Sequence, residues 1–127
     1  MRVTSQTNTN AWAKAGIMFR ETLNANSRHA MMVLTPSNGT AFQYRTATAG
    51  VSTNVSSTSA AAPNNWLRLT RRGNVFTAYR STNGTTWTQV GTATIPMATA
   101  INVGLCVTSH VNATLSTAKF DNAQLKP

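Results

Sequence analysis

The sequence predicts an all-β protein, an antiparallel β-sandwich, on three observations. Its apolar segments are short and are interrupted about every ten residues by Gly, Asn, Ser or Pro, the spacing of a sandwich or barrel. Three tripeptides, Ser37-Asn38-Gly39, Arg72-Gly73-Asn74 and Thr82-Asn83-Gly84, supply the positive-φ positions that tight hairpins need. No stretch carries a convincing helical pattern, and a composition filled out by Thr, Ser, Asn and Ala is poor for long helices.

Taken in order, strands are expected over Ala15–Leu23, His29–Thr35, Thr40–Arg45, Val51–Ser56, Trp66–Arg71, Val75–Ser81, Trp87–Val90, Ile101–Ser109 and Leu115–Leu125. Each of the three turn tripeptides joins two of them into a hairpin. Ser52–Asn65, rich in Ser, Thr and Ala and closed by Pro63-Asn64-Asn65, reads as an exposed connection holding at most a weak strand.

A chain of 127 residues and 13.6 kDa suits one domain over residues 1–127, and no apolar run approaches the length of a membrane span. Only 10% of residues are charged, yet eleven Lys and Arg face two acids, a formal +9. Such a field draws anions whatever the fold. The opening Met1-Arg2-Val3-Thr4-Ser5-Gln6-Thr7 contains no apolar leader, so the recorded chain shows no secretory signal. Cys106, alone in the chain and set in the apolar run Val103–Val107, reads as a small buried hydrophobe and not as a catalytic thiol.

Alternation gives each strand two faces. Leu67 and Leu69 point to the core while Trp66, Arg68 and Thr70 point away; Gln43 and Arg45 lie opposite Phe42 and Tyr44, and Met18 and Arg20 opposite Ile17 and Phe19. If these strands share a sheet, Arg20, Gln43, Arg45, Trp66 and Arg68 form one outer surface. Glu21 is expected to serve one arginine as an ion pair near a strand end, leaving the others free to donate planar, bidentate hydrogen bonds outward. Indole plates beside planar donors suit sugars, whose C–H faces stack while their hydroxyls are hydrogen-bonded. Trp66, Trp87, Trp12 and Tyr79 are the candidate plates, with Trp66 the first choice; packing alone is the competing role for each, and for Trp87 beside its hairpin turn the two stand level.

Catalysis is thinly supported. Glycoside hydrolysis generally needs two carboxylates, and only Glu21, a weak candidate, and Asp121 are available. Asp121 in Phe120-Asp121-Asn122 has the look of an Asx turn at a strand bend. Ser109 and His110 are adjacent, so in a strand they point to opposite faces, and no nucleophile elbow surrounds them. His29, His110 and Cys106 form no metal-ligand spacing, and no cofactor is implied. Non-specific polyanion binding through Arg71, Arg72 and Arg80 is the rival use of the basic surface.

The segments AWAKAGIMFRETLNANSRHAMMVLTP, AFQYRTATAG, WLRLTRRGNVFTAYRSTNGTTWTQVG, IPMA and VGLCVTSHVNATLSTAKFDNAQL together resemble the bacterial concanavalin-A-like jelly-roll domains related to regulation-of-enolase-type proteins. The likeness covers nearly the whole chain in order and spacing. It implies two curved antiparallel sheets packed face to face, carbohydrate recognition on the concave sheet, and an extracellular setting beside secreted glycan-active enzymes. Relatives place acids in turns where this chain has amides, as at Asn83, so a calcium site does not carry over. The resemblance also implies further strands ahead of Arg2-Val3-Thr4, which reads as the tail of one. A sandwich short of those strands would expose an edge and be completed by a second copy, as a homo-oligomer paired through strands. The reading is thus a lectin-like module without catalytic action that recognises a poly- or oligosaccharide, the +9 charge favouring an anionic one, with Arg20, Gln43, Arg45, Trp66, Arg68, Tyr79 and Trp87 as its ligand-binding residues; a glycoside hydrolase using Glu21 and a structural or assembly module are the alternatives.

Overall fold

A computed structural model describes residues 1–127. Ten strands and no helix are present: β1 (Arg2–Gln6), β2 (Lys14–Arg20), β3 (His29–Leu34), β4 (Thr40–Arg45), β5 (Thr53–Ser57), β6 (Asn65–Arg72), β7 (Val75–Ser81), β8 (Thr88–Thr94), β9 (Asn102–Thr108) and β10 (Ala118–Asp121). They form two five-stranded sheets, β10-β1-β6-β7-β8 and β5-β4-β3-β2-β9, antiparallel throughout. We call them sheet A and sheet B. With no helix, the chain has none long and apolar enough to cross a membrane.

The three turn tripeptides do join β3 to β4, β6 to β7 and β7 to β8. Gly39, Gly73 and Gly84 all adopt positive φ there, the backbone geometry for which a residue without Cβ is suited. β1 is a full strand between β10 and β6, so Arg2-Val3-Thr4 belongs to the sheet proper and Val3 is a fully buried core residue.

Alternate side chains from both sheets meet in one core. Phe42, Phe76, Met32, Leu67, Ile95 and Val3 are fully buried, and Phe19 meets Phe76 edge to face at 6.0 Å between ring centroids. β2 and β3 pack over β6, β3 over β7, and β4 and β5 over β8. At the other flank the layers part. The side chains of β9 that face inward with Ala15, Ile17 and Phe19 are Val107, Leu105 and Val103, and all three remain exposed.

One expectation fails here. The strands carrying Arg20, Gln43 and Arg45 lie in sheet B, whereas Trp66 and Arg68 lie in sheet A, with Tyr79 beside them and Trp87 just ahead of β8. The parity of each strand is as read, but alternation reports only which face a residue takes, not which sheet its strand joins. The two groups therefore emerge on opposite surfaces of the sandwich.

Candidate functional site

The outer face of sheet B is built in rows fixed by strand register. One row runs Cys106, Gly16, Val33, Ala41, Ser56; the next runs Gly104, Met18, Met31, Gln43, Asn54; a third runs Asn102, Arg20, His29, Arg45. The middle of the first row is filled by small residues that are themselves buried. Gly16 cannot be larger, because a Cβ there would stand 2.1 Å from the Met32 carbonyl oxygen. Val33 and Ala41 beside it are fully buried although they point away from the core.

The result is a depression of about 310 Å³ lined by Lys14, Met18, Met31, Gln43, Cys106, Val107 and Thr108, contributed by four strands. A wider hollow of about 590 Å³ is formed within the single segment Thr108–Leu115 and gathers nothing from elsewhere in the fold. The depression is the better-organised of the two.

Its polar groups are few and placed. Gln43 donates through Nε2 to Asn54 Oδ1 at 2.9 Å, and Asn54 donates onward to Ser56 Oγ at 2.9 Å, which leaves the Gln43 carbonyl oxygen without a protein donor. Lys14 donates to the Trp12 carbonyl at 3.0 Å, lies 5.9 Å from the centroid of the Trp12 ring, and approaches His110 Nδ1 at 3.5 Å. Burial lowers the Lys14 ammonium below its ordinary pKa. Burial likewise pushes the Cys106 thiol up to about 11, so at neutral pH it is a protonated wall group and not a nucleophile. The sequence reading of Cys106 as a buried hydrophobe holds only in part, because the side chain lines the depression and is half-buried.

Arg20 and Arg45 are not free donors. Arg20 donates to the Thr22 carbonyl at 3.1 Å and the Asn24 carbonyl at 2.5 Å, and Arg45 to the carbonyls of Gly50, Ala25 and Ser27 at 2.9, 3.0 and 3.1 Å. Both fasten loops to the end of sheet B. Between them His29 is buried, which together with the two guanidinium charges lowers its pKa.

On sheet A the other predicted residues do come together. Arg68 pairs across β7 with Tyr79, and its guanidinium lies over the Trp87 ring, 3.9 Å from the centroid. Trp66 is no open plate. The Gly84 turn covers its ring, with a Cβ at Gly84 falling 3.0 Å from indole carbons, and Arg2 lies 5.3 Å from the ring centroid. The cover is the β7–β8 turn.

Most arginines hand their protons to the protein. Arg2 is spent on Asp121, Arg28 on the Pro96 carbonyl, Arg71 on the Gly73, Met97 and Thr99 carbonyls, and Arg80 on Ser57 Oγ. Arg68 and Arg72, both exposed and both on the outer face of β6, have no protein acceptor. The carboxylates are equally committed. Glu21 accepts from the Ala98 amide at 2.8 Å and stands 3.9 Å from Arg28, while Asp121 takes the Arg2 fork from both sides. Glu21 follows β2 in sheet B and Asp121 ends β10 in sheet A, so the chain does not assemble them as a catalytic pair. The Asx-turn role read for Asp121 gives way to that ion pair.

The family model described as "Protein of unknown function (DUF1349)" matches residues 2–127. The chain belongs to the DUF1349 family. No curated protein and no solved structure matches this DUF1349 chain.

Of the residues lining the depression, sequence reasoning placed only Gln43 at a site and missed Lys14, Met18, Met31, Cys106, Val107 and Thr108. The alternation that put Met18 with Arg20, extended to Gly16 and Lys14 on the same strand, gives their shared face. The register that sets β9 beside β2 has no comparable signal.

Proposed function

We propose that this DUF1349 protein is a non-catalytic carbohydrate-binding module of the concanavalin-A-like kind, holding a poly- or oligosaccharide in the depression on sheet B. The observation that carries the reading is that four strands converge there on a hollow lined by the apolar Met18, Met31, Cys106 and Val107 together with the polar Lys14, Gln43 and Thr108. Its volume lies at the lower end of small-molecule sites, about 300–1,000 Å³. Sugar rings offer C–H faces to Met18 and Met31, and hydroxyls to the Gln43 carbonyl oxygen, Asn54 and Lys14. Trp12, tied to the margin through Lys14, is the indole best placed to extend the site. On this reading the module acts outside the cell, where such polymers are met.

The anionic character of the ligand is a separate matter. The free guanidinium groups of Arg68 and Arg72 favour polyanion attraction on sheet A, the opposite surface. Affinity electrophoresis against neutral and uronate-bearing polysaccharides, at low and high salt, distinguishes the two. Sugar binding in the depression predicts salt-insensitive retention that Gln43→Ala and Trp12→Ala weaken and Arg72→Ala does not. Retention that vanishes with salt and depends only on Arg68 and Arg72 overturns the carbohydrate reading in favour of plain electrostatics.

A further inference from the structure

We infer that two copies of this chain associate through β9, edge to edge and antiparallel about a two-fold axis, so that the two B sheets become one ten-stranded sheet.

Each sheet ends in two edge strands, and three of these four edges carry devices that discourage pairing. β10 has four residues and includes Lys119; β8 follows an irregularity of register at Ala78/Tyr79; β5 has five residues, of which all but Val55 are Ser, Thr or Asn. β9 has none of these. It spans seven residues, Asn-Val-Gly-Leu-Cys-Val-Thr, in unbroken register with β2 from Lys14↔Thr108 to Arg20↔Asn102. Backbone groups of a strand alternate between its two edges, so half of those on β9 point away from β2, and no turn, loop or side-chain hydrogen bond meets residues 102–107 there.

The side chains point to the same partner. Val103, Leu105 and Val107 are 44%, 53% and 45% exposed on the face that elsewhere forms the core. The spacing Val-x-Leu-x-Val reads alike in both directions. A two-fold axis at Leu105 therefore sets Leu105 against the partner's Leu105 and Val103 against the partner's Val107, the cross-strand apolar contacts that stabilise a sheet. On the outer face the same register sets Gly104, above which the space is open, against the partner's Cys106.

Charge does not oppose this route. Two molecules of formal charge +9 repel, yet residues 81–118 contain no Lys, Arg, Asp or Glu. The two charged residues flanking β9 on its neighbour are both folded onto carbonyls, Lys14 on that of Trp12 and Arg20 on those of Thr22 and Asn24. β9 lies in this uncharged stretch, as β8 does, so charge leaves the β9 edge open to a like-charged copy while its apolar row distinguishes it from β8, and added salt strengthens the pairing. If the glycan reading above also holds, the depressions, each walled by Cys106, Val107 and Thr108, come to lie on one continuous face.

The test is sedimentation of the full chain from micromolar to millimolar concentration, at low and high salt and without any sugar, so that its outcome is independent of the glycan reading. A species of twice the 13.6 kDa chain mass is expected, more abundant at high salt. Leu105→Lys, at a half-exposed position, abolishes it while leaving the far-ultraviolet circular dichroism unchanged; Thr94→Lys on the β8 edge leaves it intact. Gly104→Cys, oxidised against Cys106, gives a covalent dimer on unreduced gels. A monomer at every concentration, a dimer that survives Leu105→Lys, or open-ended growth of the oligomer overturns the inference.

Discussion

The Arg68 guanidinium reaches across β7 to lie over the Trp87 indole, 3.9 Å from the ring centroid. It is anchored there by the ring and by no protein acceptor, so the charge is held in place yet unneutralised. Exposed cation–π pairs contribute about 0.5–1 kcal/mol. A double-mutant cycle of Arg68→Ala and Trp87→Ala, read by urea denaturation, is expected to return a coupling energy of about that size. Arg68→Ala and Arg72→Ala are each expected to lower the slope of log affinity for a polyanion against log salt by about one.

Gly84 and Gly73 both take positive φ, but what surrounds them differs. A Cβ at Gly84 would press on Trp66 at 3.0 Å, whereas at Gly73 nothing lies within 4 Å. Left-handed backbone costs an ordinary residue roughly 1–2 kcal/mol, so Gly73→Ala is expected to lose about that much. Gly84→Ala should lose more and shift the tryptophan emission, because Trp66 must yield. Gly73→Asn should be close to neutral, since Asn tolerates that backbone region. Equal losses for the two alanine variants would show that the Trp66 contact contributes nothing.

These turns mark what was legible in the chain. Asn-Gly and Gly-Asn pairs announce their geometry locally, and alternation sorts side chains into faces within one strand, so the hairpins and the inward apolar residues followed from sequence. Sheet membership did not, because the chain leaves sheet B after β5 and enters sheet A at β6 through a segment without periodicity. The acceptors of Arg45 were equally hidden: Gly50, Ala25 and Ser27 belong to two loops brought to it only by the fold. A guanidinium on an outer face therefore looked available when its donors were already used.

Acid should weaken the fold in two stages. Hydrogen bonds from Arg2, aided by the Asn122 amide, hold the Asp121 carboxyl at about 2, below its ordinary 3.8. The folded carboxyl binds its proton less readily than the unfolded one, so this contribution is complete above about pH 4 and is lost as pH falls through about 2. His29 works in the same direction at higher pH. Burial, followed by the charges of Arg45 and Arg20, depresses its pKa from the ordinary 6.5, so the unfolded chain takes up a proton first and stability falls as pH drops below 6.5. Urea midpoints measured against pH should show both declines. Asp121→Asn should remove the lower one and His29→Gln the upper; a profile unchanged in either variant would refute that assignment.

Cys106 offers a report from inside the depression. Its thiol, held protonated by burial up to about 11, forms part of the wall with Met18 and Thr108. Since the thiolate is the reacting species, alkylation should be slow at neutral pH and should keep accelerating past the pH at which a free cysteine levels off. A saccharide seated over Met18 and Met31 would cover the sulfur, so binding should slow modification in proportion to occupancy. Gln43→Ala should abolish that protection while leaving the unliganded rate unchanged, because Gln43 hydrogen-bonds to Asn54 and not to the thiol. An edge-paired partner shields Cys106 differently: protection from that source rises with protein concentration, needs no sugar, and disappears in Leu105→Lys. If a saccharide retained by the protein left the alkylation rate untouched, the ligand would lie elsewhere, and the depression on sheet B would be ruled out as its seat.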